Sequence, residues 1–272
     1  MGKIGEHIEE KEMSFLDHVE ALRWHLVRAI SVVFIFTIVA FLNKSFVFDT
    51  IILAPKNLDF FTYRALCKLS QLINIGDALC MIELPFQVIN MSMSGQFTTH
   101  IIVSLIAGII ISSPYVIWEI WRFIKPGLYD SEKKYTSGVV FFSSLLFICG
   151  VLFGYFLIAP LSVNFLGSYS ISAEVKNMIA LTSYITTVST ITLGTGVIFE
   201  LPIVVYFLSK LGILTPEIMK AYRKHALVVI LIVAAIITPP DVSSQVLVAI
   251  PILFLYQISI YISKMVVKKA NL

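Results

Sequence analysis

Long runs of apolar residues, broken by short polar stretches, dominate the pattern along the chain. Six runs stand out as spans: about His25–Leu42, Thr99–Trp121, Gly138–Leu161, Ile179–Leu208, Ala226–Ile237 and Val242–Ile262. Each of the others is close to the roughly 20 apolar residues that cross a bilayer core of about 30 Å. The fifth, at 12 residues, reaches only about 18 Å at 1.5 Å per residue. It must extend into the polar run before it, or the membrane must thin locally. Residues 1–24 form an acidic, then amphipathic segment, in which Phe15, Val19, Leu22 and Leu26 recur at helical spacing. Residues 43–98 form the longest connection, and its apolar stretches Asp59–Leu72 and Leu79–Ile89 suggest short helices or an extended cap on the membrane surface. The expected fold is all-α, a single polytopic membrane domain.

Composition fits this pattern. Of 272 residues, 58% are hydrophobic and 14% charged, against about 25% charged in an ordinary soluble domain. Little chain is left for a water-soluble catalytic domain. The first span is too long, and too acidic in its approach, for a cleavable signal peptide, so it is expected to remain. Lys and Arg set the orientation. With both termini inside, the inner segments hold 15 of them and the outer segments 5 (Lys44, Lys56, Arg64, Lys68, Lys176). The predicted topology is N-in, C-in. A net charge of +3 spread over several segments makes nucleic acid an unsuitable partner.

Catalytic motifs are missing. No Gly is followed two places later by Ser, and no His precedes Glu, which removes a serine-protease motif and the HExxH zinc site. No P-loop or dinucleotide fingerprint occurs. Gly194-Thr-Gly196 and Gly150-x-x-x-Gly154 read as helix-packing notches. His25 and His225 could clamp a haem only on geometric grounds, and interfacial histidines are the better reading. Neither an enzyme, a metal nor a cofactor is expected.

Four local patterns carry information. Ser14-Phe-Leu-Asp-His-Val-Glu-Ala-Leu-Arg-Trp-His-Leu26 is an inner amphipathic helix that runs into span one. Pro114 to Glu132 (PYVIWEIWRFIKPGLYDSE) is a helix end that breaks at Pro126-Gly127 and restarts at Asp130 or Ser131 as N-cap. Phe199-Glu-Leu-Pro202 lies inside span four. Thr238-Pro-Pro-Asp-Val-Ser-Ser-Gln245 is a tight outer turn in which Asp241 can cap span six. On their own terms, Glu132 is a first-turn partner of a helix dipole, Phe123 an interfacial aromatic anchor, Pro55 a loop turn and Pro114 a helix kink. Glu200 is different, because an ionisable group in mid-membrane costs at least about 2.5–3.5 kcal/mol. Either it is a protonated acid bonded to Ser or Thr within the fold, or it faces a groove and meets a polar group on a partner helix. Cys67 and Cys80 both lie in the outer loop. In an oxidising compartment they would close a loop worth about 3 kcal/mol, and two free thiols are the equal alternative.

Together the four motifs, in order and at matching span positions from Ser14 to Ile260, resemble the TatC family, the six-span subunit of the twin-arginine protein translocase. The resemblance implies a glove-shaped six-helix bundle with a concave face in the bacterial inner membrane. It implies recognition of folded precursors through signal peptides with consecutive arginines, single-span partners TatA and TatB, further oligomerisation, and transport driven by the proton-motive force. Independently of it, a receptor for two adjacent arginines needs inner-surface carboxylates from two segments, and here the amphipathic helix offers Asp17 and Glu20 and the first inner loop offers Glu119, Asp130 and Glu132. The resemblance raises Glu132 to a signal-peptide ligand, adds Phe123 and Arg23 beside it, and assigns Glu200, Pro55, Pro114, Asp241 and Gln245 to partner contacts or assembly. One position departs from the family. Its motif His-Leu-x-Glu-Leu-Arg reads His18-Val-Glu-Ala-Leu-Arg23 here, so Ala21 stands where the arginine-binding Glu is expected. A proton- or ion-coupled transporter built on Glu200 is the competing reading, against which stand one buried acid and no internal repeat.

Overall fold

The computed structural model describes residues 15–77, 80–81, 85–125, 136–172, 174–175, 177–238 and 242–270. It is a bundle of long helices. In chain order these are α1 (Phe15–Leu42), α2 (Phe61–Leu72), α3 (Gly95–Ile124), α4 (Thr136–Phe153), α5 (Ala159–Ser168), α6 (Leu181–Ile198), α7 (Leu201–Lys210), α8 (Pro216–Ala221), α9 (Arg223–Ile237) and α10 (Val242–Ala270). A π-helical turn over Phe46–Ile52 follows α1, and another over Gly154–Ile158 joins α4 to α5 as one rod. Among the described residues, five rods are long and apolar enough to cross a membrane: Val19–Leu42, Gly95–Ile124, Gly138–Ser168, Leu181–Lys210 and Ser244–Lys268. The fifth apolar run of the sequence is α9, which does extend into the polar run and begins at Arg223. Its 15 residues still reach only about 22 Å.

The α6 helix is the spine. Tyr184, Ile185, Val188, Ile191 and Ile198 pack into one apolar cluster with Val103 of α3, Ile158 and Val163 near α5, Ala234 of α9, and Val248 and Ile252 of α10. Glycines let the rods approach closely. A Cβ at Gly108 of α3 would strike the backbone and hydroxyl of Thr37 on α1, and one at Gly154 would strike the Thr195 hydroxyl of α6. Small residues at such contacts are the usual means of packing helices where lipid removes the hydrophobic drive.

One end of the bundle carries a cap made of the π-turn, α2 and two short strands. Leu79–Ile89 is not helical where it is described: Phe86–Ile89 is strand β1, paired in parallel with β2, Asn177–Ala180. The parallel arrangement follows from the connections, since each strand leads directly into a helix that leaves the cap in the same direction, β1 into α3 and β2 into α6. Three tyrosine hydroxyls pin the cap. Tyr155 donates to the Ile51 carbonyl at 2.7 Å, Tyr184 to Ile52 at 2.9 Å, and Tyr63 lies within bonding distance of Pro55 and Pro160 carbonyls at 2.9 and 3.0 Å. Burial holds the Tyr63 hydroxyl well above its ordinary pKa, so it remains a donor. Cys67 and Cys80 are joined in a disulfide, with Cα atoms 4.3 Å apart. Beneath the cap, α3, α4 and α6 enclose an apolar groove of about 640 Å³, lined among others by Val103, Ala107, Val151, Tyr155 and Val188.

Prolines interrupt the rods in a managed way. Pro114 removes the N–H that would bond the Ile110 carbonyl, and the Ser113 hydroxyl donates to that carbonyl instead at 2.8 Å. Pro160 similarly frees the Phe156 carbonyl, and the Thr62 hydroxyl of the cap reaches across to it. Within a membrane such carbonyls have no water to turn to.

Candidate functional site

At the end opposite the cap, the start of α1 meets the close of α3. Ala21, His25 and Ala29 recur four residues apart, and all three are at least half-buried, whereas Val19, Glu20, Leu22, Arg23, Trp24 and Leu26 are exposed. The face bearing Ala21 therefore turns toward α3. Glu20 and Arg23 lie one turn apart at 3.8 Å, both exposed, a pairing of little energetic consequence. Asp17 lies on the same helix, in its first turn. The apolar stripe that includes Val19, Leu22 and Leu26 is left uncovered, as expected of a segment lying against lipid.

On α3, Tyr115, Glu119 and Phe123 form the answering stripe, also four residues apart. Glu119 is only 1% exposed and lies within the helix, not in a loop. Its two oxygens are both engaged, one with Nδ1 of His25 and the other accepting from the Tyr115 hydroxyl at 2.9 Å. The half-buried Phe123 stands edge-on to the His25 ring, with centroids 6.1 Å apart. Two residues earlier, on another face of α3, Trp121 is buried against Phe207 of α7, at 4.2 Å between centroids. The chain then continues through Lys125. Asp130, Ser131 and Glu132 lie outside the described residues, as do Pro239, Pro240 and Asp241 at the other end.

Halfway along, α6 stops at Ile198 and α7 starts at Leu201, with Glu200 in the break. Pro202 causes the break, since it has no N–H to bond the preceding turn. The Ser143 hydroxyl of α4 donates to one carboxylate oxygen of Glu200. Its other oxygen is buried with no hydrogen-bond partner. The bond to Ser143 is the internal arrangement expected of this acid, and the side chain as a whole is part-exposed at the break. Of the remaining positions, Pro55 is fully buried under the cap, Pro114 sits on the exposed face of α3, and Gln245 on α10 donates to the Leu231 carbonyl of α9 at 3.0 Å.

The His25–Glu119–Tyr115 cluster is what sequence reasoning missed as a unit. Its two histidine and carboxylate members attract notice singly, but only the four-residue spacing of Tyr115, Glu119 and Phe123 signals a polar stripe on an otherwise apolar helix.

The family profile described as Sec-independent protein translocase protein (TatC) matches residues 17–251. The chain belongs to the TatC family. A TatC of Blattabacterium from Periplaneta americana is 39% identical over 262 residues, covering 96% of this chain and 98% of its own. That of Carboxydothermus hydrogenoformans is 34% identical over 263 residues, covering 96% and 97%. A shorter match, to the TatC of Helicobacter pylori J99, is 46% identical over 164 residues, 60% of this chain and 66% of the other. Among solved structures, a crystal structure of the twin-arginine translocase receptor TatC superposes with a TM-score of 0.70 at 33% identity, covering 92% of this chain and 99% of that one. A second, in the detergent DDM, gives 0.72 at 34% identity, covering 90% and 99%. The molecule is thus a six-span helical bundle, a multi-pass membrane protein and the receptor subunit of a twin-arginine translocase. The family's role is transport, and the competing ion-coupled transporter finds no support among these relatives.

Proposed function

We propose that this TatC-family chain binds signal peptides with consecutive arginines at the end opposite the cap, and that this end faces the cytoplasm of a bacterial inner membrane. The observation that carries the reading is the meeting there of the start of α1, which bears Glu20, and the close of α3, which bears Phe123 and precedes Glu132 in sequence. Consecutive residues of an extended peptide point to opposite sides, so two arginines are best met by carboxylates from two segments. Each charged hydrogen bond contributes about 1.5–3 kcal/mol. Phe123 borders the same junction and offers an apolar surface to the peptide. The bundle termini of this end are rich in Arg122, Lys125, Lys210, Arg223 and Lys264, the bias expected of a cytoplasmic face.

Assembly is assigned to a different depth. The part-exposed Glu200 side chain, at the break between α6 and α7, is the group that meets a polar partner on a single-span protein of the TatA or TatB kind, once its second, buried oxygen turns outward. Gln245, which ties α10 to α9, belongs with Asp241 to the same assembly role, together with Pro55 in the cap and Pro114 on α3. Transport then draws on the proton-motive force. The test is crosslinking of a twin-arginine signal peptide to the purified, detergent-solubilised chain. Crosslinks to the α1 start and to the loop after α3 are expected, and their absence from both segments would overturn the assignment.

A further inference from the structure

The pair formed by His25 and Glu119 does something the carboxylates of the proposed receptor site do not. We infer that it is the positioning element of that site, locking the start of α1 to the close of α3 so that Glu20 on the one and Phe123 on the other keep one spacing. The inference rests on the reading of this end as the signal-peptide site.

A buried carboxylate is tolerated only when it is paired and hydrogen-bonded. Glu119 meets that condition fully, through His25 on one oxygen and Tyr115 on the other, and Arg28 of α1 brings a positive charge nearby. Arg28 and Arg122 both bear on Tyr115. With both oxygens taken and 1% exposure, Glu119 has nothing to offer an incoming guanidinium. Its energy is spent inside the molecule, between two helices.

The location gives that bond its leverage. His25 sits between Ala21 and Ala29 on the face of α1 that meets α3, so small side chains flank it and the helices come close. Four residues, about 6 Å of helix, separate His25 from Ala21, and four separate Glu119 from Phe123. The link therefore lies one turn inside the junction on both helices. It sets their relative rotation and rise at the level of Ala21 on the one helix and Phe123 on the other. His25 also buttresses Phe123 directly by its edge-on ring contact.

Rigidity of this kind has a distinct readout. Arginine recognition by carboxylates depends on the planar, forked geometry of the guanidinium, whereas lysine is a point charge on a flexible stem. Sites that lose a few tenths of an ångström of alignment lose the forked contact first. The preference for a twin-arginine over a twin-lysine peptide should thus report the link, and a simple loss of folded receptor should not.

The experiment measures the affinity of the full chain in detergent for one signal peptide and its twin-lysine counterpart. His25→Ala and Glu119→Gln are expected to reduce the arginine-to-lysine ratio about tenfold, equivalent to about 1.4 kcal/mol. In a Glu20→Gln background the same changes should have little further effect on the ratio, because the aligned acid is already gone. The exchanged pair, His25→Glu with Glu119→His, should restore the ratio. Unchanged ratios in the two single variants, with both affinities falling in parallel, would overturn the inference. Should a single variant fail to fold, the exchanged pair decides: a folded receptor with the original ratio supports the link, and one without it overturns it. A wild-type chain with no arginine preference would instead defeat the receptor-site assignment itself, which keeps the two failures apart.

Discussion

Ala21 occupies the α1 position that looks toward α3, one turn before His25, and it is a methyl group where the family motif has a carboxylate. Glu20, next to it, points about 100° away around the helix and is exposed to solvent. The remaining arginine-binding capacity should therefore rest on Glu132 first and Glu20 second. We expect Glu132→Gln to cost at least about 1.5 kcal/mol of arginine-dependent binding, with smaller losses for Glu20→Gln and Asp17→Asn. Ala21→Glu should strengthen binding, since it restores an acid on the face that adjoins Phe123. Peptide affinities of the four variants check this, and a neutral Glu132→Gln or a weakened Ala21→Glu would show that the geometry is different. Glu200 belongs to another task at another depth. Glu200→Ala should leave peptide affinity nearly intact while reducing co-purification of a single-span partner and transport. Normal partner recovery in that variant would return Glu200 to a purely internal role with Ser143.

Between elements, the most exposed energetic weakness is the seam where the cap meets the rod of α4 and α5. Thr62 supplies the hydrogen bond that Pro160 denies to the Phe156 carbonyl. Thr62→Val keeps the shape and removes the donor, so a buried acceptor is left unmet at about 1–3 kcal/mol. A lowered thermal midpoint in detergent, with unchanged peptide affinity, is the expected result. Reduction of the disulfide, or Cys67→Ser, should cost about 3 kcal/mol for a closed loop of this size, given a sequence separation of 13. Differential scanning with and without reductant measures it. These features also show where reading from sequence stops. The apolar runs announce every long rod, because a membrane span needs nothing but length and hydropathy. Proline and glycine mark the break at Glu200 and the close packing at Gly154 equally well. The strand pairing of Phe86–Ile89 with Asn177–Ala180 joins segments about ninety residues apart, and no local pattern encodes such a meeting. The same holds for His25 and Glu119, 94 residues apart: each is visible alone, and only the close approach of α1 and α3 at Gly108 makes them a pair.

For the molecule as a whole, the distribution of Lys and Arg predicts both chain ends on the cytoplasmic side. A reporter fused after Leu272 in intact cells should be active only if it functions in the cytoplasm, and a periplasmic signal would reverse the assignment of every face. The same connectivity has a consequence for how the molecule is made. The two helix-interrupting prolines whose carbonyls find substitutes differ in where the substitute comes from. Ser113 sits beside Pro114 on the same helix, so α3 enters the bilayer already self-sufficient. The Phe156 carbonyl depends on Thr62, which belongs to a segment synthesised some ninety residues earlier. With the N-terminus on the cytoplasmic side as predicted, and synthesis running from that end, α2 would be across the membrane before the rod of α4 and α5 leaves the ribosome. The donor is therefore waiting when the acceptor arrives. Had the order of the two segments been reversed, the rod would have had to enter lipid with a bare carbonyl and hold it there until the cap was made.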